Sequence, residues 1–130
     1  MNLVQHLLQL ADAVGREMRL RLTASHPAVA KAWVNFGMQG QRVEVRSAYN
    51  VSSVEQLDTG RYRVNFAVPF ADADYAWFAF ARNAGSANSM KFAAARAQAE
   101  AKTTSYVEVI CSTAAGTLSD TSELSLMVMR

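Results

Sequence analysis

The feature that most constrains this chain is a change in hydrophobic periodicity close to Pro27. Before Pro27, apolar residues recur every three or four positions, as on one face of an amphipathic helix. After it, apolar and polar residues alternate, as in half-buried β-strands. Proline favours a helix end, because its ring removes an amide donor and clashes with the preceding turn. We therefore expect an N-terminal helical segment, residues 1–26, and a β-rich domain, residues 27–130.

The helix is predicted over residues 2–22, with one apolar stripe along it. The stripe consists of Leu3, Leu7, Leu10, Val14 and Met18. Polar side chains such as Gln9, Asp12 and Arg16 lie on the opposite face. About three heptads make a short coiled coil. By itself, this spacing favours packing on the chain's own domain over packing on identical chains.

The region after Pro27 contains roughly seven or eight short strand-like segments separated by turn signals. Residues 42–46 and 61–66 alternate most clearly, whereas residues 37–40 have the composition of a turn. Residues 58–60 are predicted to form a three-residue hairpin loop that ends at Gly60. This number of strands and turns predicts a mainly β fold, an N-terminal α-helix followed by an antiparallel β-sandwich.

Residues 89–102 are rich in alanine and fit two structures. Alanine has the highest helix propensity, yet residues 92–102 also alternate between larger side chains and alanine. We favour a strand because the neighbouring segments are strands. Its alanine face would then allow another chain to approach closely.

Composition narrows the class of protein further. The net charge of +2 is spread along the chain, which argues against a nucleic-acid partner. No apolar run is long enough to insert into a membrane, and the N-terminus does not resemble a secretory signal. Much of the 51% hydrophobic fraction is alanine, so the core of one chain is modest and oligomerisation is expected. The single Cys111 is expected to be a buried hydrophobic residue.

No arrangement of reactive side chains indicates an enzyme, a metal site or a cofactor. His6 and His26 have no cysteine or carboxylate at metal-ligand spacing. Asp72 and Asp74 are expected to be solvated loop carboxylates rather than an acid–base pair. We expect a non-enzymatic protein.

Aromatic residues offer a further possible binding chemistry, because their faces can stack against sugars. Their positions on predicted strands favour a place in the core instead. The residues concerned are Trp33, Tyr75, Trp77 and Phe78.

Three stretches of the sequence resemble a module found in phage and prophage tail-fibre and virion proteins. They are KAWVNF at residues 31–36, the segment 43–54 with its SYNVSS-like core, and TGRYRVNF at residues 59–66. Residues 104–109 and 128–130 resemble the closing strands of the same module. The resemblance covers about residues 30–130, and residues 83–102 depart from it.

The resemblance implies a trimeric, non-enzymatic tail-fibre or spike protein of a phage or phage-like particle, assembled in the bacterial cytoplasm. Its expected partners are two identical chains, other virion proteins and a host-surface carbohydrate. It also reverses the expectation for the helix, whose apolar stripe would now face a threefold axis. The alternative is a structural component, such as a head decoration or baseplate adaptor, that binds another particle protein through the helix.

Contacts with a receptor are expected at a turn-rich tip in the second half of the chain. Polar side chains at loops are frequent binding residues. The candidates are Arg82, Asn83, Ser86 and Asn88.

Overall fold

The computed structural model describes residues 2–21, 26–83 and 89–130, with side chains described up to residue 17 in the helix. Within these ranges the chain forms one α-helix, eight strands and one short 3-10 helix. They are α1 (Leu3–Arg21), β1 (Ala30–Gln39), β2 (Arg42–Tyr49), β3 (Val51–Asp58), β4 (Arg61–Phe66), β5 (Ala76–Arg82), β6 (Lys91–Ala95), η1 (Ala99–Ala101), β7 (Tyr106–Thr113) and β8 (Glu123–Met129).

Helix α1 begins with a reciprocal cap that the periodicity did not reveal. The Asn2 side chain accepts a hydrogen bond from the Gln5 amide at 2.9 Å, and the Gln5 side chain accepts one from the Asn2 amide at 3.0 Å. This capping box pairs backbone donors that a helix otherwise leaves unsatisfied. A four-residue polar–apolar–apolar–polar motif is therefore enough to fix where the helix starts.

The strands form two four-stranded antiparallel sheets, which confirms the predicted mainly β fold. Sheet A has the order β2-β1-β8-β5, and sheet B has the order β3-β4-β7-β6. The two sheets enclose one hydrophobic core. Strand β4 alternates as predicted, with Tyr62, Val64 and Phe66 buried. The other core side chains are Ala32, Val34, Phe36, Tyr75, Val107, Val109, Cys111, Leu124, Leu126 and Val128.

Asn50 forms the corner at which the chain leaves sheet A and enters sheet B. Its φ of 52° lies in the left-handed region, which asparagine tolerates better than most residues. Its side chain accepts a hydrogen bond from the Val68 amide at 2.8 Å and donates to the Lys31 carbonyl at 3.1 Å. One polar side chain thus fixes the connection between the two sheets.

The predicted turn at residues 37–40 is wrong, because Gly37, Met38 and Gln39 belong to β1. A Cβ atom on Gly37 would lie only 1.8 Å from the Ser122 carbonyl oxygen, and the Met38 amide donates to the Thr121 carbonyl at 2.9 Å. This glycine therefore allows two backbones to approach and does not form a turn. The turn consists of Gly40, with φ 65°, and the residue after it, so only the last residue of the predicted range belongs to the turn.

The next hairpin is also tighter than expected. Asp58 pairs with Arg61, so its loop contains two residues, Thr59 and Gly60, rather than three.

The alanine-rich region is a strand over only part of its predicted length. β6 covers Lys91–Ala95, and the 3-10 helix Ala99–Ala101 follows. The alternation ends where Arg96 turns towards Glu108 on β7, with 2.6 Å between Nη1 and Oε2. Ala93 packs against the chain's own core. One alanine of the predicted face thus faces the core, and contact of the exposed alanines around it with a second chain stays a prediction.

Candidate interaction surfaces

The sandwich has two distinct ends. The helix-proximal end contains the start of β1, because Ala30 pairs with Met129 and Met129 pairs with Ala76. The distal end contains the Gly40 turn, the Thr59–Gly60 turn and the ends of β5 and β7. The chain therefore enters the sandwich from α1 at one end and presents several of its loops at the other.

The first candidate surface is the helix stripe, defined here as Leu3, Leu7, Leu10 and Val14. These side chains are 50–71% exposed, and every residue from 2 to 17 is exposed apart from the half-buried Gly15. The described part of the helix thus does not pack on the sandwich. Val4 and Leu8, both more than 60% exposed, widen the apolar face. The Met18 side chain, which we also predicted in this stripe, lies outside the described side chains.

The second candidate surface is the distal tip. Arg82 ends β5, and its guanidinium lies 2.7 Å from Glu123 of β8; Asn83 follows it and is half-buried. The hydrogen bond from Arg82 holds the pKa of the Glu123 carboxyl below its usual value. Asn83 also borders an open depression of about 450 Å³ that Lys91 and Thr113 line. Ser86 and Asn88 lie outside the described residues, so the structure brings together only Arg82 and Asn83 of the four predicted contacts.

The third candidate surface is the outer face of sheet A. Strand register places Tyr49, Trp33, Met127 and Phe78 in one row across the four strands. The adjacent row consists of Ser47, Asn35, Ser125 and Phe80. Phe78 and Phe80 are 48% and 73% exposed, with ring centroids 6.3 Å apart. A mostly apolar row thus lies beside a mostly polar one on a surface that faces solvent.

The predicted core position of the four strand aromatics is correct for Tyr75 and Trp77 and wrong for Phe78. Tyr75 is buried and Trp77 packs against the core, whereas Phe78 points away from it. Trp33 is half-buried on the same outer face as Phe78. The sequence alone does not distinguish inward from outward positions in β5, because apolar residues occupy both faces of this strand. Its pairing with β8 decides which face lies against the core.

The outer face of sheet B contains a buried carboxylate surrounded by arginines. Glu108 is 1% exposed and lies 2.8 Å from Arg63 and 2.6 Å from Arg96, with Arg61 at 3.7 Å. Burial alone would raise the Glu108 pKa, but the arginine hydrogen bonds and charges lower it. Arg63 also lies 4.1 Å from the centre of the Tyr106 ring. This cluster neutralises a buried charge and joins β4, β7 and the segment after β6.

The remaining reactive groups are engaged in structural contacts. Cys111 is buried as predicted, and burial raises the pKa of its thiol. Asp72 accepts a hydrogen bond from the Asp74 amide at 2.9 Å and pairs with Arg130, and both contacts lower its pKa. Across the described ranges, no group of three or more histidine, cysteine or acidic residues is placed to hold a metal. No helix in those ranges is long and apolar enough to cross a membrane.

Comparison of the chain with protein-family models, curated proteins and solved structures found no match.

Proposed function

We propose that this chain is a non-enzymatic fibre or spike module of a phage or phage-like particle. Three chains assemble through their N-terminal helices, and the β-sandwich heads attach the particle to a glycan on the host surface. The observation that carries this proposal is the exposed helix stripe on α1. Most of the stability of a helix in a protein comes from packing of its apolar face, and the described part of this chain does not cover the face of α1.

The width of the apolar face supports a bundle of more than two helices. Leu3, Leu7, Leu10 and Val14 follow the four-three-four spacing of a coiled-coil seam. Val4 and Leu8 extend the apolar surface beyond the narrow seam of a two-stranded coil. In a three-helix bundle, more of this surface is covered.

The difference between the two ends of the sandwich supports attachment through the head. The helix leads into one end, and the tip with Arg82 and Asn83 lies at the opposite end. A particle that holds the helix bundle would therefore present the distal loops outward, where a receptor is met first.

Attachment is tested by adsorption of the purified full chain to the host of the phage or prophage in whose genome its gene lies. We expect saturable adsorption that is lost when the surface polysaccharide is removed from the cells. Adsorption that is equal on cells with and without polysaccharide, or absent from both, would contradict the attachment function.

The helix makes a structural role in the particle the second candidate. In that case α1 binds another virion protein, and the head serves as decoration or adaptor. Leu10→Lys in the helix stripe distinguishes the two roles, with Gln9→Lys on the polar face as its control. If the chain is a structural adaptor, Leu10→Lys is not incorporated into particles, and neither the variant nor the wild-type chain adsorbs to cells. If the chain is an attachment head, Leu10→Lys still adsorbs to cells as the wild-type chain does.

A further inference from the structure

We propose that the outer face of sheet A is a binding site for a pyranose sugar at the end of a surface glycan. This inference rests on the proposed attachment function and names where the glycan binds. The site is a shallow groove of about 210 Å³, defined here as the sheet A groove. Its side chains are Trp33, Asn35, Phe78, Phe80, Ser125 and Met127.

The sheet A groove combines two kinds of surface in adjacent rows. Trp33, Met127 and Phe78 belong to the apolar row, and Asn35 and Ser125 belong to the polar row. A pyranose has a C–H face that packs on aromatic rings and a rim of hydroxyl groups that needs hydrogen-bond partners. The two rows lie two residues apart along each strand, about 6.8 Å, which is comparable to the width of one sugar ring with its hydroxyl groups.

Several polar groups of the groove have unused hydrogen-bonding capacity. The Asn35 amide nitrogen donates to the Ser125 hydroxyl at 2.9 Å and to Glu123 at 3.3 Å. Among the described residues, the Asn35 side-chain oxygen accepts no hydrogen bond, the Ser125 hydroxyl donates none, and the Trp33 indole N–H donates none. The groove thus offers an acceptor and two donors, which sugar hydroxyls can pair because each both donates and accepts.

The Asn35 amide is oriented by hydrogen bonds within the chain. Glu123 accepts from Arg82 at 2.8 Å as well as from Asn35, so a fixed chain of hydrogen bonds leads from the distal tip to the groove. A mostly apolar concavity with a few fixed polar groups is the usual form of a small-ligand site. The volume is below the ~300 Å³ typical for drug-sized ligands, which fits a single sugar ring rather than a long chain segment.

A second copy of this chain is the competing occupant of the same face. The sugar is favoured because the polar row, Ser47, Asn35 and Ser125, crosses the middle of the sheet. Interface centres between copies are mainly apolar, and polar residues lie at their rim. Burying the unpaired groups of Asn35 and Ser125 against a protein surface would lower the stability of such an interface.

The test measures sugar binding to the purified full chain by isothermal titration calorimetry. The probes are D-glucose, D-galactose, L-rhamnose, N-acetyl-D-glucosamine and N-acetyl-D-galactosamine. Phe80→Ala removes the most exposed ring of the groove, and Asn35→Ala removes its central amide. Phe92→Ala, which removes a 49% exposed ring from sheet B, is the matched control. We expect at least one sugar to bind, with affinity reduced about tenfold or more by Phe80→Ala and by Asn35→Ala but unchanged by Phe92→Ala.

Three outcomes would overturn the groove as the sugar site. The first is that none of the five sugars binds the wild-type chain. The second is that binding survives Phe80→Ala and Asn35→Ala but is lost on Asn83→Ala combined with Asn88→Ala, which would locate the site at the distal tip. The third is that Phe80→Ala lowers the mass of the assembly in light scattering, which would assign this face to contact between copies. In the last two cases polysaccharide-dependent adsorption to cells can still hold, so failure of the groove is separable from failure of the attachment function.

Discussion

Gly60 combines a left-handed backbone with a close approach by a neighbouring strand. Its φ is 68°, and a Cβ atom at this position would lie 2.5 Å from the Cys111 carbonyl oxygen and 2.6 Å from the Ser119 nitrogen. The Cys111 amide also donates to the Gly60 carbonyl at 2.7 Å. The short β3–β4 turn therefore contacts β7 directly through backbone atoms.

Gly40 provides a matched comparison for this site. Its φ of 65° is almost the same, but no atom lies within 4 Å of the position of its Cβ. We expect Gly40→Ala to lower the free energy of unfolding by about 1 kcal/mol, the effect of a left-handed backbone alone. Gly60→Ala should lower it by more than about 2 kcal/mol, because two backbones must also move apart. Urea unfolding at one protein concentration measures both, and equal losses would contradict the role of close packing at Gly60.

Asp120 anchors the distal end of the sandwich through hydrogen bonds to its carboxylate. The donors are the Gly60 amide at 2.8 Å, the Tyr62 hydroxyl at 2.8 Å and the Gln56 side chain at 2.9 Å. Burial alone would raise the pKa of this carboxyl, but the hydrogen bonds outweigh it and lower the pKa. Burial of the Tyr62 hydroxyl, and then its contact with Asp120, raise the pKa of Tyr62.

Because its pKa is lowered in the folded state, the Asp120 carboxyl makes the free energy of unfolding depend on pH. A carboxyl whose pKa is lower in the folded state than its unfolded value of about 3.9 stabilises the fold above that value. The stabilisation is lost as the pH falls through the folded pKa. We expect Asp120→Asn to lower the free energy of unfolding at pH 7 by about 1–2 kcal/mol and to reduce the further loss between about pH 5 and pH 2. The exposed Asp74→Asn serves as control, and an acid profile unchanged by Asp120→Asn would contradict this role.

At the scale of elements, the proposed trimer predicts that helix α1 depends on contacts between identical chains. Leu10 is 60% exposed near the middle of the helix stripe. We expect Leu10→Lys to reduce helical content, because it places a charge where identical helices would meet. The near-ultraviolet circular dichroism of the sandwich should not change, since no core residue is altered. Gln9→Lys introduces the same residue on the polar face and should leave helicity unchanged; equal helicity in both variants and the wild-type chain would contradict a buried stripe.

The elements also show which features of this fold can be predicted from sequence. The helix and the sandwich follow from the hydrophobic periodicity of the sequence. The inward face of β4 follows from it too, because apolar and polar residues alternate along this strand. Strand β5 has apolar residues at both parities, so the exposure of Phe78 and Phe80 depends on its pairing with β8. Glycine often marks a turn, so the sequence pattern predicts one at Gly37. In the structure, this glycine instead allows the Ser122 backbone, far along the chain, to approach β1. The hydrophobic pattern of the sequence contains no information on such contacts between distant segments.

The two candidate surfaces differ in the same way, because one depends on local spacing and the other on the pairing of distant strands. The helix stripe depends only on local spacing, so the sequence alone places its described residues on one face of α1. The sheet A groove joins three strands from the beginning, middle and end of the chain, and no local pattern brings Trp33, Ser125 and Phe80 together. The groove can be recognised only when the order and the register of these three strands are known.

At the scale of the whole molecule, one end of the sandwich continues from the helix and the other presents loops. The two charged clusters occupy other parts of the sandwich, with the half-buried Asp120 at the distal end and the buried Glu108 on the outer face of sheet B. Neither cluster lies on the helix stripe or in the sheet A groove. These two clusters can therefore be altered without changing a side chain of the helix stripe or of the groove.

The mass of the assembled wild-type chain tests the account most directly. Sedimentation equilibrium of the full chain over a range of concentrations should give three times the 14.2 kDa mass of one chain. This result is expected because the exposed helix stripe on α1 needs other copies to cover it. A mass of 14.2 kDa at all concentrations would contradict the assembly from which the proposed function begins.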